Sequence, residues 1–463
     1  MNVFSRLMYF NTPPSPSREG DIHFKTNFII TNYCLLQKKY IFAKIKYYMT
    51  MTKNLILLLL LSLPFVITSC NEDDDLSSGN NERKDIALSR SQQEMVNENV
   101  KFAFSLFDMV NELETEKPNW IISPLSASIA LSMTANGTAN NSLNQIKDVL
   151  GFNDFQMDEI NNYYNTLTKE LMAVDNTTRL ALANSVWLHN DFQFYDSFVN
   201  TTEKMYDAEV RTLDLTNQSS LKVINNWCAK HTNGLIPTIF DELPNNLVFC
   251  LMNALYFKGV WKNEFDESDT TDETFTCANG RESKVKMMKQ KREHWYCNNK
   301  SFALAKFPYG NGAFSMVVLL PNEEVTLEES LQKFTADYWT ESVNLKEKLL
   351  KVSFPRFELE YETSLIEVME ALGIIDIFYS NKADFSQLSS SPLFVGLLKQ
   401  KAYFKVDEKG AEAAAITAVG GETSLPPVVT VKDDEFNMNR PFAFLIMEES
   451  TGTILFMGKV TDL

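Results

Sequence analysis

Val96, Val100, Ala103, Phe107 and Val110 recur at intervals of 4, 3, 4 and 3, which places them on one face of an amphipathic helix. Leu143, Ile146, Val149 and Leu150 mark a second helix, stopped by Gly151. The pattern then changes period. VFCLMNALYFKGVW (248–261) is almost wholly apolar but is interrupted by Asn253 and Lys258. That reads as a strand buried on both faces rather than a membrane span. In RFELEYE, Phe357, Leu359 and Tyr361 alternate with Glu358 and Glu360, as a half-buried strand requires. FAFLIMEESTGTILFMG reads as two strands joined by a turn at Ser450–Gly452. Helices gather early and strands late, without strict βαβ alternation. The expected class is α+β with mostly antiparallel or mixed sheets.

The amino end follows a different rule. Lys53 precedes NLILLLLLSLPFVITSC (54–70), an apolar run of signal-peptide length and too short for a membrane-spanning helix. The VITSC end resembles a bacterial lipoprotein signal, in which Cys70 would be lipidated and become the first residue of the mature chain. The following NEDDD resembles the export tag of surface lipoproteins in Bacteroidetes-type bacteria. The resemblance implies an outer-membrane lipoprotein exposed at the cell surface. Residues 1–48 precede the start expected at Met51 (or Met49) and are read as an upstream extension from a misplaced start codon. Residues 49–70 are then the signal peptide, 71–92 a flexible acidic tether and 93–463 one folded domain.

Charge and composition narrow the function. The chain is 44% hydrophobic, enough for a large core, and carries a formal charge of -17, which argues against nucleic acid or an anionic membrane surface as the main partner. Residues 1–70 hold eight Lys or Arg and two Asp or Glu, so the mature chain would be more acidic still. The four histidines (His23, His189, His231, His294) are scattered and no CxxC pair exists, so no metal or other cofactor is expected. Cys228, Cys250, Cys277 and Cys297 offer no basis for naming a disulfide. GxSxG, P-loop and HExxH patterns are absent, and no enzyme activity is expected.

An ordered set of segments carries a resemblance. NWIISPLSASIALSMT (119–134), LNQIKDVLGF, NSVWL (184–188), INNWCAKHTNGLI (224–236) and LMNALYFKGVW (251–261) come first. FPRFELEYETSL, LGIIDIF, ADFS (383–386), FKVDEKGAEAAAITA (404–418) and RPFAFLIMEESTGTILFMGKV (440–460) follow. Together they resemble the serpins, over roughly residues 93–463. The resemblance implies three β-sheets, about eight or nine helices and an exposed reactive-centre loop. It also implies a monomeric inhibitor that forms a covalent complex with a target protease. Cleavage of the loop yields an acyl-enzyme, and the freed loop inserts as a new strand in the largest sheet.

The hinge residues suit that move. Along a strand, Ala411, Ala413, Ala415, Thr417 and Val419 would face inward, and Glu412, Ala414, Ile416 and Ala418 outward. The inward set is small or β-branched and uncharged, and the only charge falls outward. Helical packing of an alanine run does not explain this division. Gly410, just after Glu408, supplies backbone freedom where the loop bends into the sheet. The family spacing from Glu408 puts the scissile bond at Ser424–Leu425. Matching the following Leu-Pro-Pro to relatives gives Thr423–Ser424 instead, and the stretch from Leu425 to Pro441 is long, so both stand. Either bond presents a small residue to the protease. That suits elastase-like serine proteases, with cysteine proteases that accept small residues as a second class.

The resemblance further matches Ser123, Ser126 and Asn253 to the polar cluster where the largest sheet parts, and Trp261 to the aromatic where insertion begins. Gln400 stands where many relatives carry His, which puts any His-dependent pH response there in doubt. Ala411 replaces the usual Thr or Ser. The alternative function is a non-inhibitory serpin-fold binding lipoprotein; such relatives tend to carry charged or bulky hinge residues, and this hinge does not.

Overall fold

The structure is a computed structural model that describes residues 82–244, 247–411 and 434–463. The described residues belong to one compact unit. Cys70, and the loop positions Ala413, Ala414, Ala415, Thr417, Thr423, Ser424 and Leu425, lie outside them.

Eight α-helices occur among the described residues: α1 (Arg90–Leu113), α2 (Pro124–Ala135), α3 (Asn140–Leu150), α4 (Met157–Ala173), α5 (Asp196–Tyr206), α6 (Gln218–His231), α7 (Leu327–Leu331) and α8 (Ile366–Leu372). All five apolar positions that predicted the first helix are buried on α1. Its start differs from expectation. Residues 82–92 were expected in a flexible tether, but Ser89 and Gln92 form a reciprocal capping box that begins the helix at Arg90, and Ile86 is buried. The polar composition that suggests a tether here serves a helix cap. α3 ends as expected at Gly151, whose φ of +72° is the left-handed conformation that terminates helices.

The strands are β1 (Trp120–Ile122), β2 (Thr178–His189), β3 (Ala208–Leu213), β4 (Phe249–Val260), β5 (Thr271–Thr276), β6 (Glu282–Asn298), β7 (Phe302–Pro308), β8 (Phe314–Pro321), β9 (Lys346–Pro355), β10 (Phe357–Ser364), β11 (Lys399–Asp407), β12 (Gly410–Ala411), β13 (Asp434–Asn437), β14 (Phe442–Glu448) and β15 (Ile454–Val460). One sheet has the order β10-β11-β12-β4-β2-β3. A second hydrogen-bonded set runs β1-β15-β14-β8-β7-β6-β9-β13, with β5 also on β6. The 17-residue β6 is shared: β5 and β9 pair along most of its length, whereas β7 pairs only at its last residues, 295–298. Its length thus joins two sheet regions into one ladder, and with the six-stranded sheet this makes the expected three. Pairing is mostly antiparallel, with β2–β3 and β9–β13 parallel.

β4 is buried on both faces, as its apolar run predicts. Phe249 and Phe257 join the main core, where α2 lies buried along its whole length. Cys250, Met252 and Ala254 face a separate cluster with Leu221, Ile224, Trp227 and Cys228 of α6. α6 therefore covers the outer face of the sheet beside β4.

The four cysteines among the described residues are free. Burial pushes the thiols of Cys228 and Cys250 up to about 12, so almost no reactive thiolate exists at neutral pH. Iodoacetamide is expected to leave both unmodified in the native protein and to alkylate both after denaturation, as read by peptide mass spectrometry.

Candidate functional site

The site is where the six-stranded sheet is thinnest. β12 is antiparallel to both neighbours, with Val406–Ala411–Gly259 and Asp407–Gly410–Val260 as its two rows. β11 and β4 are therefore parallel to each other, and among the described residues only this two-residue strand joins them. Beyond Ala411, the space between them is a cavity lined by Leu251, Asn253, Ala254, Gln400, Lys401 and Ser126, among others.

Gly410 explains why the hinge enters here. Its φ is +148°, and an added Cβ would fall 2.1 Å from the Gly259 carbonyl oxygen. Only glycine permits that approach. Ala411, the next residue, is 1% exposed.

Glu408 anchors the turn that delivers the hinge. Its side chain is 3% exposed, and Oε1 accepts from Arg356 Nε at 2.8 Å, Arg356 Nη2 at 2.5 Å and Thr270 Oγ1 at 2.5 Å. Burial alone would raise the Glu408 carboxyl, but the bonds from Arg356 and Thr270 outweigh it and hold the carboxyl below its ordinary value. Trp261 clamps the same turn: its backbone N–H donates to Lys409 O (2.7 Å) and its indole N–H to Asp407 O (2.9 Å). The indole is stacked on Tyr309 at 4.3 Å and 11°.

A polar floor lies farther down the cavity. Gln400 accepts from Ser123 N–H and donates to Ser123 C=O, both at 2.9 Å. Ser123 Oγ donates to Leu455 O (2.8 Å) and accepts from Ser126 N–H (3.2 Å), capping α2. Ser123, Ser126 and Gln400 thus come together. Asn253 is bonded elsewhere: its Nδ2 donates to Asn184 Oδ1 (2.7 Å), and Asn184 donates to Tyr206 O. Its own Oδ1 is buried without a hydrogen-bond partner among the described residues. Glutamine at 400 makes its two-way bond to both backbone groups of one residue because an amide offers donor and acceptor side by side. Gln400→Ala would strip both bonds; Ser123 C=O would keep Ala127 N–H at 3.1 Å, but Ser123 N–H would be left buried without a partner. A loss of about 1–3 kcal/mol is expected, measured as a lower urea midpoint of the intact protein.

Several of these contacts escaped the sequence reading. Arg356 and Thr270 lie 52 and 138 residues from Glu408. Tyr309 and Asn184 are similarly remote from Trp261 and Asn253, and no local pattern marks them. Lys258 and Lys405, the residues of β4 and β11 next to the two rows paired with β12, were within reach of simple strand counting.

The family description Serpin (serine protease inhibitor) matches residues 97–463. Human Serpin B3 is 32% identical over 388 residues, covering 79% of this chain and 98% of that protein. The human leukocyte elastase inhibitor is 32% identical over 385 residues, covering 80% of this chain and 100% of that protein. The native state of the thermophilic serpin tengpin superposes with a TM-score of 0.74 at 30% identity, covering 83% of this chain and 97% of that one. A two-residue strand between two parallel strands that no other described residue joins, in a chain matched from residue 97 to its last residue by one family, leads to a single assignment: the chain belongs to the serpin family of serine protease inhibitors.

Proposed function

We propose that the chain is a covalent suicide inhibitor of serine proteases with small primary pockets, elastase-like in preference, with cysteine proteases of similar preference as a second target class. The observation that carries this reading is the register of β12. Continued along both neighbours, it pairs Ala413 with Phe257 and Phe404, Ala415 with Leu255 and Ala402, and Thr417 with Asn253 and Gln400. On the inner face the small hinge side chains would lie beside Phe257, Phe404 and Leu255. Glu412, the only charge, falls between Lys258 and Lys405.

The chemistry follows from that geometry. A protease serine attacks the carbonyl of Ser424 (or Thr423), the peptide bond breaks and an acyl-enzyme forms. The freed segment 411–424 spans roughly 46 Å as a strand and fills the register. The acylated protease is carried along and pulled out of shape. Loss of one oxyanion donor alone slows acyl transfer about 10²–10³-fold, so deacylation stalls.

The similarity to a protein named leukocyte elastase inhibitor supports the class of target. The VITSC sequence supports lipidation at Cys70, and with it membrane attachment and an outer-membrane, surface-exposed location. Incubation with pancreatic elastase followed by denaturing electrophoresis tests the inhibitory reading. A band of summed mass is expected; clean loop cleavage without an adduct, and without a gain in heat stability, would favour the non-inhibitory alternative. Mass spectrometry of the cut loop decides between Ser424–Leu425 and Thr423–Ser424.

A further inference from the structure

Residues 82–88 form no helix or strand, yet they are fastened at two points. Ile86 is 7% exposed and its N–H donates to Ser450 Oγ at 2.9 Å. Arg83 donates through Nη1 to the Gly312 carbonyl at 3.1 Å, while Nε and Nη2 face Asp85 at 3.3 and 3.2 Å. The two anchor points are themselves joined, because Glu449 N–H donates to Ala313 O at 2.8 Å.

The turn that Arg83 holds is part of the hinge's support. Gly312 N–H donates to Tyr309 O (2.7 Å), and Gly310 N–H donates to Val260 O (2.8 Å). Tyr309 carries the ring stacked on Trp261, and Trp261 holds the carbonyls of Asp407 and Lys409. An unbroken series of contacts therefore runs from Arg83 through residues 309–312 and Trp261 to Gly410. Gly410 belongs to an element with two arrangements under the proposed function, docked by two residues or inserted at length. Such a two-state element is what coupling between distant contacts requires.

We propose that residues 82–88 are a strap whose attachment sets how readily the hinge leaves or extends its two-residue docking. Fastened, the strap presses the 309–313 turn against Trp261 and keeps the sheet closed below Ala411. Released, it lets the turn and the indole shift, and β4 and β11 part more easily. The strap falls within residues 71–92, expected as a tether, and is the first described stretch of the chain, so a partner or a pull acting on residues before it would reach the hinge through it. The regulatory meaning rests on the proposed insertion mechanism; the mechanical link does not.

The test uses the full chain with Arg83→Ala and, separately, Ile86→Ala. Hydrogen exchange is followed by mass spectrometry over 405–411 and over α5 and β3, which touch neither the strap nor its anchors. Conversion to a heat-stable form is followed below the melting temperature. Exchange over 405–411 should rise about tenfold in Arg83→Ala, the factor that one lost hydrogen bond brings to a local opening, and at least as much in Ile86→Ala, which keeps the backbone bond to Ser450 but loses the buried side chain. α5 and β3 should be unchanged, and conversion should accelerate severalfold. If 82–88 exchange freely in the variants while 405–411 stay as protected as before, the strap is refuted. A uniform rise everywhere also refutes it, because that is what general destabilisation gives. If 405–411 loosen selectively but no conversion and no protease adduct is ever seen, the strap stands and the inhibitory reading falls.

Discussion

Thr417→Arg is expected to turn the inhibitor into a substrate. On the proposed insertion register, Thr417 would arrive on the inner face between Asn253 and Gln400, above the floor formed by Ser123 and Gln400. No carboxylate lies among the residues lining that cavity. An unpaired charge carried there costs several kcal/mol. Each 1.4 kcal/mol on a barrier is about tenfold in rate, so insertion past position 417 would slow by roughly two or three orders of magnitude. Deacylation, unaffected by the change, would then overtake insertion. The measurement is the number of inhibitor molecules consumed per protease molecule silenced, which should rise at least about tenfold as the covalent band fades and cleaved loop accumulates. Thr417→Val has nearly the same shape and no charge and should keep the adduct. Equal adduct yields from the arginine and valine variants would mean that the loop does not enter this register.

Arg356→Ala is the second change with a large expected effect. It removes two of the three donors to Glu408 and leaves a carboxylate that is 3% exposed with Thr270 alone. Arg356 is itself 41% exposed, so solvent screens part of the pair, and the expected loss at neutral pH is about 2 kcal/mol. The hinge turn then loosens, and the intact protein should convert to its heat-stable form faster while its first unfolding transition moves to lower temperature. The pH dependence has a definite sign. Because the Glu408 carboxyl is held below its ordinary value in the folded protein, its contribution is fully present above the ordinary carboxylate range. It disappears as pH falls through the depressed folded value. Wild type and Arg356→Ala should therefore differ most near neutrality and converge in acid. A gap that stays constant across that range would show that Glu408 is not the group responsible.

Local structure was legible wherever one residue period dominated. The 4-3-4-3 spacing located α1, Gly151 ended α3, and the alternation in RFELEYE became β10 with buried Phe357, Leu359 and Tyr361. The two-faced burial of β4 followed from an apolar run too short for a membrane helix and broken by two polar residues. The helix start was misread because Ser89 and Gln92 look the same in a tether as in a capping box. At the site, Gly410, Glu408, Trp261 and Gln400 could be picked from the chain, but their partners could not. Arg356 and Thr270 reach Glu408, and Tyr309 reaches Trp261, only because distant strands are brought together at one end of the six-stranded sheet. Pairing across such separations is a property of topology, and no spacing along the chain encodes it.

Among the described residues only β12 joins β4 to β11, so a strand entering beyond it would be recognised by backbone first and side chains second. Such recognition has no means of telling this chain's loop from the same loop on a neighbour. Crowding therefore competes with self-completion: at high copy number one molecule's segment could complete another's sheet, and linkage would spread from copy to copy. Holding each copy at its own fixed point would oppose this, so the anchorage proposed at Cys70 would be a safeguard against self-assembly as well as an address.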